Sequence, residues 1–388
     1  MIQHGVARST RVRTTEQREQ DIEKIHKYRD LENQLRSRVS GKLFEQETFA
    51  LTSRLLRLNP EYYTVWNVRR RCIMSELLSR PSSRTAPSLS TEHQSSPSSA
   101  GVDSSHLPSD LSANTSIEVK SSIDEKTLRS ELGFTVPLLI EYPKCYWIWK
   151  YRMWVLDQAT ALLSTEAARS IWQEELGLVS KMLDRDQRNF HAWSYRRYVV
   201  SQLESAALAG KSMIEFEFDF TTKKIENDLS NFSAWHYRSQ MIPRLLQERD
   251  LGDEARRSFL DSELNLVRGA LNVGPEDQSL WYYHQFLISP LSETGSSCAI
   301  TPDLPTADRK NYLLDEIAYI EEIAEDYQDI KWIYEALIEC TLAIGRIEGR
   351  SLQEDERRNV AKWFRKLREM DQKRGGRWDD LEIQLCLK

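Results

Sequence analysis

Lys144 stands in a turn marked by Tyr142-Pro143, immediately ahead of the segment Cys145-Tyr146-Trp147-Ile148-Trp149. A cation and a helix N-terminus at one place both favour an anion such as a diphosphate. The first-turn N–H groups lack helical partners, and the helix dipole adds partial positive charge there. Tyr146 and His191, each near the start of such a helix, are candidate hydrogen-bond donors to the same anion. Each residue also has an ordinary reading. A lysine in a turn is commonly just solvated, and one histidine on an aromatic helix commonly packs.

No other chemistry is visible in the sequence. There is no Walker-type glycine loop, no pair of catalytic carboxylates, no nucleophile with a base and no His/Cys zinc cluster. Cys72, Cys145, Cys298, Cys340 and Cys386 are scattered singly, which suggests reduced thiols in a cytosolic protein and no disulfide framework. The formal charge of −6 argues against a nucleic-acid partner, because neutralising phosphates needs a basic surface. Met1–Thr15 is polar and has no apolar core, so no signal peptide is expected. No apolar run reaches the ~20 residues that span a bilayer. By itself the chain does not read as a complete enzyme.

The elements that must position these residues are set out by the tryptophans. Trp149, Trp193, Trp235 and Trp281 are 44, 42 and 46 residues apart, and Trp332 follows after 51. Trp66 precedes Trp149 by 83, but Ser82–Ser122 holds fifteen serines and no aromatic residue. That segment, 82–122, reads as a disordered insertion, since it cannot bury enough apolar area to offset its ordering entropy. Without it the period is restored within one repeat domain covering 1–388.

The surrounding text repeats too. It reads NPEYYTVWNVRR at Trp66, YPKCYWIWKYR at Trp149, RNFHAWSYRR at Trp193, SNFSAWHYR at Trp235 and, more weakly, GPEDQSLWYYH at Trp281. An aromatic residue lies three before the Trp in four copies (Tyr63, Tyr146, Phe190, Phe232). An Arg lies three after it (Arg69, Arg152, Arg196, Arg238), with His284 in that place at the fifth copy and Glu335 at the sixth.

Each unit reads as two helices. Leu176, Val179 and Leu183, like Leu51, Leu55 and Leu58, recur at helical spacing ahead of a Trp. Asn59-Pro60, Tyr142-Pro143, Asp186-Gln187-Arg188 and Gly274-Pro275 then break the first helix. Asn189, Asn231 and Asp277, four residues before their tryptophans, suit the N-cap of the second. The expected fold is an all-α superhelix of helical hairpins, with a leading helix near 16–39 and a closing helix near 353–373. Within the second helix the spacing of three puts Trp and Arg on one face. There Trp fills the groove between helix pairs, and Arg pairs with a neighbouring acid or carbonyl.

The run Asn-Pro-x-x-Tyr-x-x-Trp-x-x-Arg-Arg and its relatives resembles the repeat of protein prenyltransferase α subunits, over nearly the whole chain apart from the Ser-rich segment. Asn231–Arg238, Asn189–Arg197 and the near-terminal His4-Gly5 are similar to the Rab geranylgeranyltransferase version. The resemblance implies a crescent of helical hairpins around a separate β subunit that holds zinc, the isoprenoid cavity and most catalytic groups. It also implies geranylgeranyl diphosphate as co-substrate, C-terminal cysteines of Rab GTPases as acceptors and an escort protein that presents them. By the same resemblance Lys144 is the lysine that reaches the prenyl diphosphate, with Tyr146 and His191 near it. Cys145 and Trp147 depart from the polar residues more common in the family. His4, on the N-terminal tail, is a candidate for the partner's zinc when substrate is absent. The chain is expected to lack the further C-terminal domains of some members. Two other readings stand beside this one: the α subunit shared by farnesyltransferase and geranylgeranyltransferase type I, and a helical-repeat scaffold without catalytic function.

Overall fold

The computed structural model describes residues 14–78, 110–293 and 300–385. His4 and residues 82–109 of the expected insertion lie outside them. All regular elements among the described residues are helical. In chain order the helices are α1 (Thr15–Ser40), α2 (Gln46–Leu58), α3 (Tyr63–Cys72), α4 (Asp110–Glu141), α5 (Tyr146–Leu162), α6 (Thr165–Arg185), α7 (Phe190–Leu203), α8 (Ile214–Asn227), α9 (Phe232–Arg249), α10 (Asp253–Val273), α11 (Gln278–Ile288), α12 (Thr306–Asp326), α13 (Lys331–Glu348), α14 (Glu354–Met370) and α15 (Gly375–Gln384). They form two compact units. The first runs to Arg185 and includes His191–Lys211; the second comprises Asp186–Phe190 and the chain from Ser212.

Local sequence explains the boundaries. α1 opens with a capping box in which the Thr14 side chain accepts from the Gln17 N–H while the Gln17 side chain accepts from Thr14. α2 stops at the residue before Asn59-Pro60 and α10 at the residue before Gly274-Pro275, as those turn signals require. Gly349, at φ +62°, ends α13 in the left-handed conformation that costs glycine least. Asn231 caps α9 by accepting from the Ala234 N–H, and Asp277 caps α11 by accepting from Ser279. Asn189 is buried directly ahead of α7.

Four sequence expectations are amended. Leu58, last residue of α2, is 57 % exposed while Leu51 and Leu55 are buried, because the chain turns away before another residue can cover it. α4 begins at Asp110, inside the segment read as insertion; a helix nucleated in its packed half extends at little further cost. The C-terminal end has a further helix, α15, after the closing helix α14. The sixth copy is shifted in register, for a reason given by its hydrogen bonds.

Four buried repeat tryptophans each staple their own turn. The indole N–H donates to the carbonyl six residues back: Trp66 to Pro60 (2.8 Å), Trp149 to Pro143 (2.9 Å), Trp235 to Leu229 (2.8 Å) and Trp281 to Pro275 (2.7 Å). Burying a large ring without orphaning its N–H is what a Trp in a core requires. Trp193 is equally buried, at 1 % exposure. At the sixth copy the bond six residues back comes from the Tyr334 hydroxyl to the Gln328 carbonyl (2.9 Å), while Trp332 is only half-buried. Tyr334, and not Trp332, therefore holds the tryptophan position, and Glu335 is not the counterpart of the arginines.

Those arginines bind carboxylates. Arg69 meets Glu131 through two bonds of 2.6 and 2.7 Å, Arg152 meets Glu175 at 2.8 and 2.5 Å, and Arg238 meets Glu263 at 2.7 and 2.6 Å. A tyrosine from the next second helix donates to the same carboxylate: Tyr151 to Glu131 (2.5 Å), Tyr195 to Glu175 (2.8 Å) and Tyr283 to Glu263 (2.5 Å). All nine side chains are buried. Burial, reinforced by the adjoining carboxylate, pushes the three tyrosine hydroxyls well above their ordinary range, so they stay protonated as donors. The tyrosine ring also lies on the tryptophan of the preceding copy, at 4.6 Å for Trp66–Tyr151, 5.0 Å for Trp149–Tyr195 and 4.6 Å for Trp235–Tyr283. At the fifth copy His284 takes the arginine's part, with Nε2 2.9 Å from Glu316, which Arg268 also binds at 2.5 Å. Burial pushes the Glu316 carboxyl up, but His284 and Arg268 outweigh it and hold it below the usual range. Arg196 is buried and donates to Ser180 at 2.7 Å.

The edge formed by the second-helix starts

Tyr63, Tyr146, Phe190 and Phe232 are each the first residue of a second helix, and each is displayed to solvent, at 54, 47, 64 and 53 % exposure. The Trp three residues on is buried, whereas the aromatic at the first helical position is exposed. Repeated display of large rings leaves apolar surface in water, against the hydrophobic effect.

In the first unit these rings join. Tyr63 stands 5.3 Å from Trp147, Trp147 stands 5.2 Å from Tyr146, and Tyr146 stands 6.3 Å from His191, centroid to centroid. The row thus crosses the starts of α3, α5 and α7, and it brings Tyr146 and His191 together from separate helices. Lys144 is exposed, two residues ahead of Tyr146. Among the described residues no carboxylate pairs with it.

The α5 start has no side-chain cap. Its N-cap is Cys145, and no side-chain cap bond fills the first turn; α3, capped by Tyr62, also lacks one. Cys145 is buried, its thiol 3.5 Å from the Pro60 carbonyl, and burial pushes it up to about 11. It is therefore a packed thiol at neutral pH and no nucleophile. Burial also pushes the His191 imidazole below its ordinary value, opposed by the charge of Glu61. A neutral imidazole keeps one ring N–H to donate. The arrangement sets a phenol and an imidazole side by side, with an ammonium two residues ahead of the phenol.

Among the described residues no group of three or more His, Cys, Asp or Glu side chains comes together in a way that could hold a metal ion. Nor is any described helix long and apolar enough to cross a membrane.

The protein prenyltransferase alpha subunit repeat matches at residues 45–75, 128–159, 172–203, 214–245 and 260–291, which are the five hairpins from α2–α3 to α10–α11. The geranylgeranyl transferase type-2 subunit alpha of Saccharomyces cerevisiae is 33 % identical over 287 residues, covering 74 % of this chain and 72 % of that one. The chain belongs to the protein prenyltransferase α-subunit family. The geranylgeranyl transferase type-2 subunit alpha of Dictyostelium discoideum is 29 % identical over 358 residues, covering 90 % of this chain and 92 % of its own length. The one from Rattus norvegicus is 30 % identical over 265 residues, and only 37 % of its length is spanned. A solved structure titled Candida albicans protein geranylgeranyltransferase-I complexed with GGPP aligns with a TM-score of 0.52 over 93 % of this chain and 91 % of that one. At 17 % identity it speaks for the prenyltransferase α-subunit fold alone.

The repeat residues Trp66, Arg69, Trp149, Arg152, Trp193, Arg196, Trp235, Arg238 and Trp281 are therefore core, as their spacing suggested. Sequence reasoning missed the carboxylates that the arginines bind. A signal existed: Glu131, Glu175 and Glu263 each stand twenty residues before the tyrosine that donates to them.

Proposed function

We propose that this chain is the α subunit of a Rab-type, that is type-2, geranylgeranyl transferase, and that the start of α5 stabilises the departing diphosphate. The relatives in yeast, Dictyostelium and rat all carry the type-2 name, which favours this reading over the shared α subunit and over an inert scaffold. The observation that supports the site is the approach of the Tyr146 and His191 rings, 6.3 Å between centroids, with the exposed Lys144 two residues ahead of Tyr146 at a helix start without a side-chain cap bond.

The partner is a β subunit seated on the displayed aromatic row. Zinc, which would lower the pKa of the acceptor thiol, is assigned to the β subunit by the family resemblance. Geranylgeranyl diphosphate is the co-substrate, and Rab cysteines, presented by an escort protein, accept the prenyl group. The acceptor thiolate forms a bond to the allylic carbon as the carbon–oxygen bond breaks, and diphosphate leaves with the negative charge. The Lys144 ammonium meets that charge as it grows, while Tyr146 O–H and a His191 N–H donate to the same oxygens. Such groups act most strongly once the partner excludes water. The buried free thiols Cys72, Cys145 and Cys340 suit a reducing cytoplasm.

The test is single-turnover prenyl transfer by the reconstituted heterodimer carrying Lys144→Ala. The expected loss is roughly tenfold to a thousandfold in the chemical step, the scale for one preorganised donor, with partial rescue by Lys144→Arg. A rate equal to wild type would remove Lys144 from the reaction.

A further inference from the structure

The register shift at the sixth copy leaves Glu335 without the role of the arginines, and it borders a cavity of about 190 Å³ between α11, α13, α14 and α15. Three tryptophans, Trp281, Trp332 and Trp378, and the buried side chains of Phe364 and Leu367 are part of its lining. For scale, a cavity of about 150 Å³ lined by apolar side chains accommodates benzene. Two residues of the lining each carry a buried polar atom with no hydrogen-bond partner among the described residues: Trp378 Nε1, on a side chain 2 % exposed, and Glu335 Oε1. One is a donor and the other an acceptor, and each orphan of this kind disfavours the empty state. Burial pushes the Glu335 carboxyl up, against the pull of Arg377, Lys331 and Arg374.

We propose that this cavity is a binding site for a small apolar ring bearing a hydroxyl or amide, whose head accepts from Trp378 Nε1–H and donates to Glu335 Oε1. A head that both accepts and donates is the complement of this pair. A purely apolar ligand leaves both orphans in place, and an anion faces the carboxylate. The tryptophan rings stack on the apolar body. None of the residues assigned to the diphosphate takes part, so the site stands whether or not that assignment does.

The test is a titration of the full chain, in complex with its β partner, with β-naphthol and with naphthalene, followed by tryptophan fluorescence and thermal midpoint. β-Naphthol binds saturably at one site and raises the midpoint, and naphthalene binds about tenfold more weakly, the scale of a buried hydrogen bond. Trp378→Phe keeps the ring and removes the donor, so it brings β-naphthol down to the affinity of naphthalene and leaves naphthalene unchanged. Glu335→Leu makes the same comparison from the acceptor side and serves if Trp378→Phe does not fold. No saturable binding to wild type, equal affinity for the two probes, or a β-naphthol affinity untouched in the folded variants would each overturn the proposal.

Discussion

The starts of α5 and α9 occupy the same place in the repeat and differ in how their first turns are capped. At α9 the buried Asn231 closes the first turn, accepting from Ala234 N–H and donating to the Gln187 carbonyl at 3.1 Å. At α5 the same position is Cys145, whose thiol is buried and makes no cap bond, and the exposed cation Lys144 precedes it. Beneath both ends the scaffold is alike: Arg152–Glu175–Tyr195 under one, Arg238–Glu263–Tyr283 under the other. A repeat can therefore keep its core while one helix start is capped by a side chain and another is not. The residue type that satisfies the N–H groups internally is the one that makes the end unavailable to a ligand.

The comparison breaks first at the scaffold, if the two cores are not equivalent. Glu175→Ala and Glu263→Ala each strand a buried guanidinium and a tyrosine hydroxyl, and each should cost about 3–5 kcal/mol. Chemical denaturation of the two variants measures this, and losses differing by more than twofold would show that the copies are not interchangeable. The caps come next. Asn231→Ala should cost about 1 kcal/mol of stability and leave prenyl transfer unchanged, whereas Lys144→Ala should slow transfer and leave stability within about 0.5 kcal/mol, as for an exposed residue. Denaturation and single-turnover rates on the same preparations separate the two patterns; transfer slowed by Asn231→Ala would erase the contrast.

The smallest effect is a titration. The folded His191 imidazole has a pKa below the ordinary 6.5, so the unfolded chain binds this proton more readily. Stability should therefore rise with pH through the interval between the depressed folded value and 6.5, and level off above it. His191→Gln should flatten that rise. In the assembled enzyme, diphosphate should move the imidazole upward, by placing negative charge beside it. An imidazole titration by NMR with and without diphosphate reads both, and an unmoved pKa would detach His191 from the site.

The array was legible because its signals are local and repeated. The Trp period, the Asn-Pro and Gly-Pro turns and the Asn231 and Asp277 caps each act within a few residues, and His284 was already visible in the arginine position. The ion pairs were not, since Glu131, Glu175 and Glu263 come from the first helix of the following copy and carry no motif of their own beyond the constant twenty-residue step to Tyr. Trp332 misled because a Trp was used as the ruler, where the turn carbonyl is met by the Tyr334 hydroxyl. Lys144, Tyr146 and His191 were named from a helix start and a family resemblance. The ring contact between Tyr146 and His191, across two helices, depends on packing that no local pattern encodes.

The central claim, that this chain is the α half of a prenyltransferase, is tested most directly by co-purifying the tagged chain from its native cell extract and identifying its stoichiometric partner by mass spectrometry. The account predicts a one-to-one zinc-bearing prenyltransferase β subunit of the type-2 kind. Purification as a lone chain, or with a partner of another class, would contradict it.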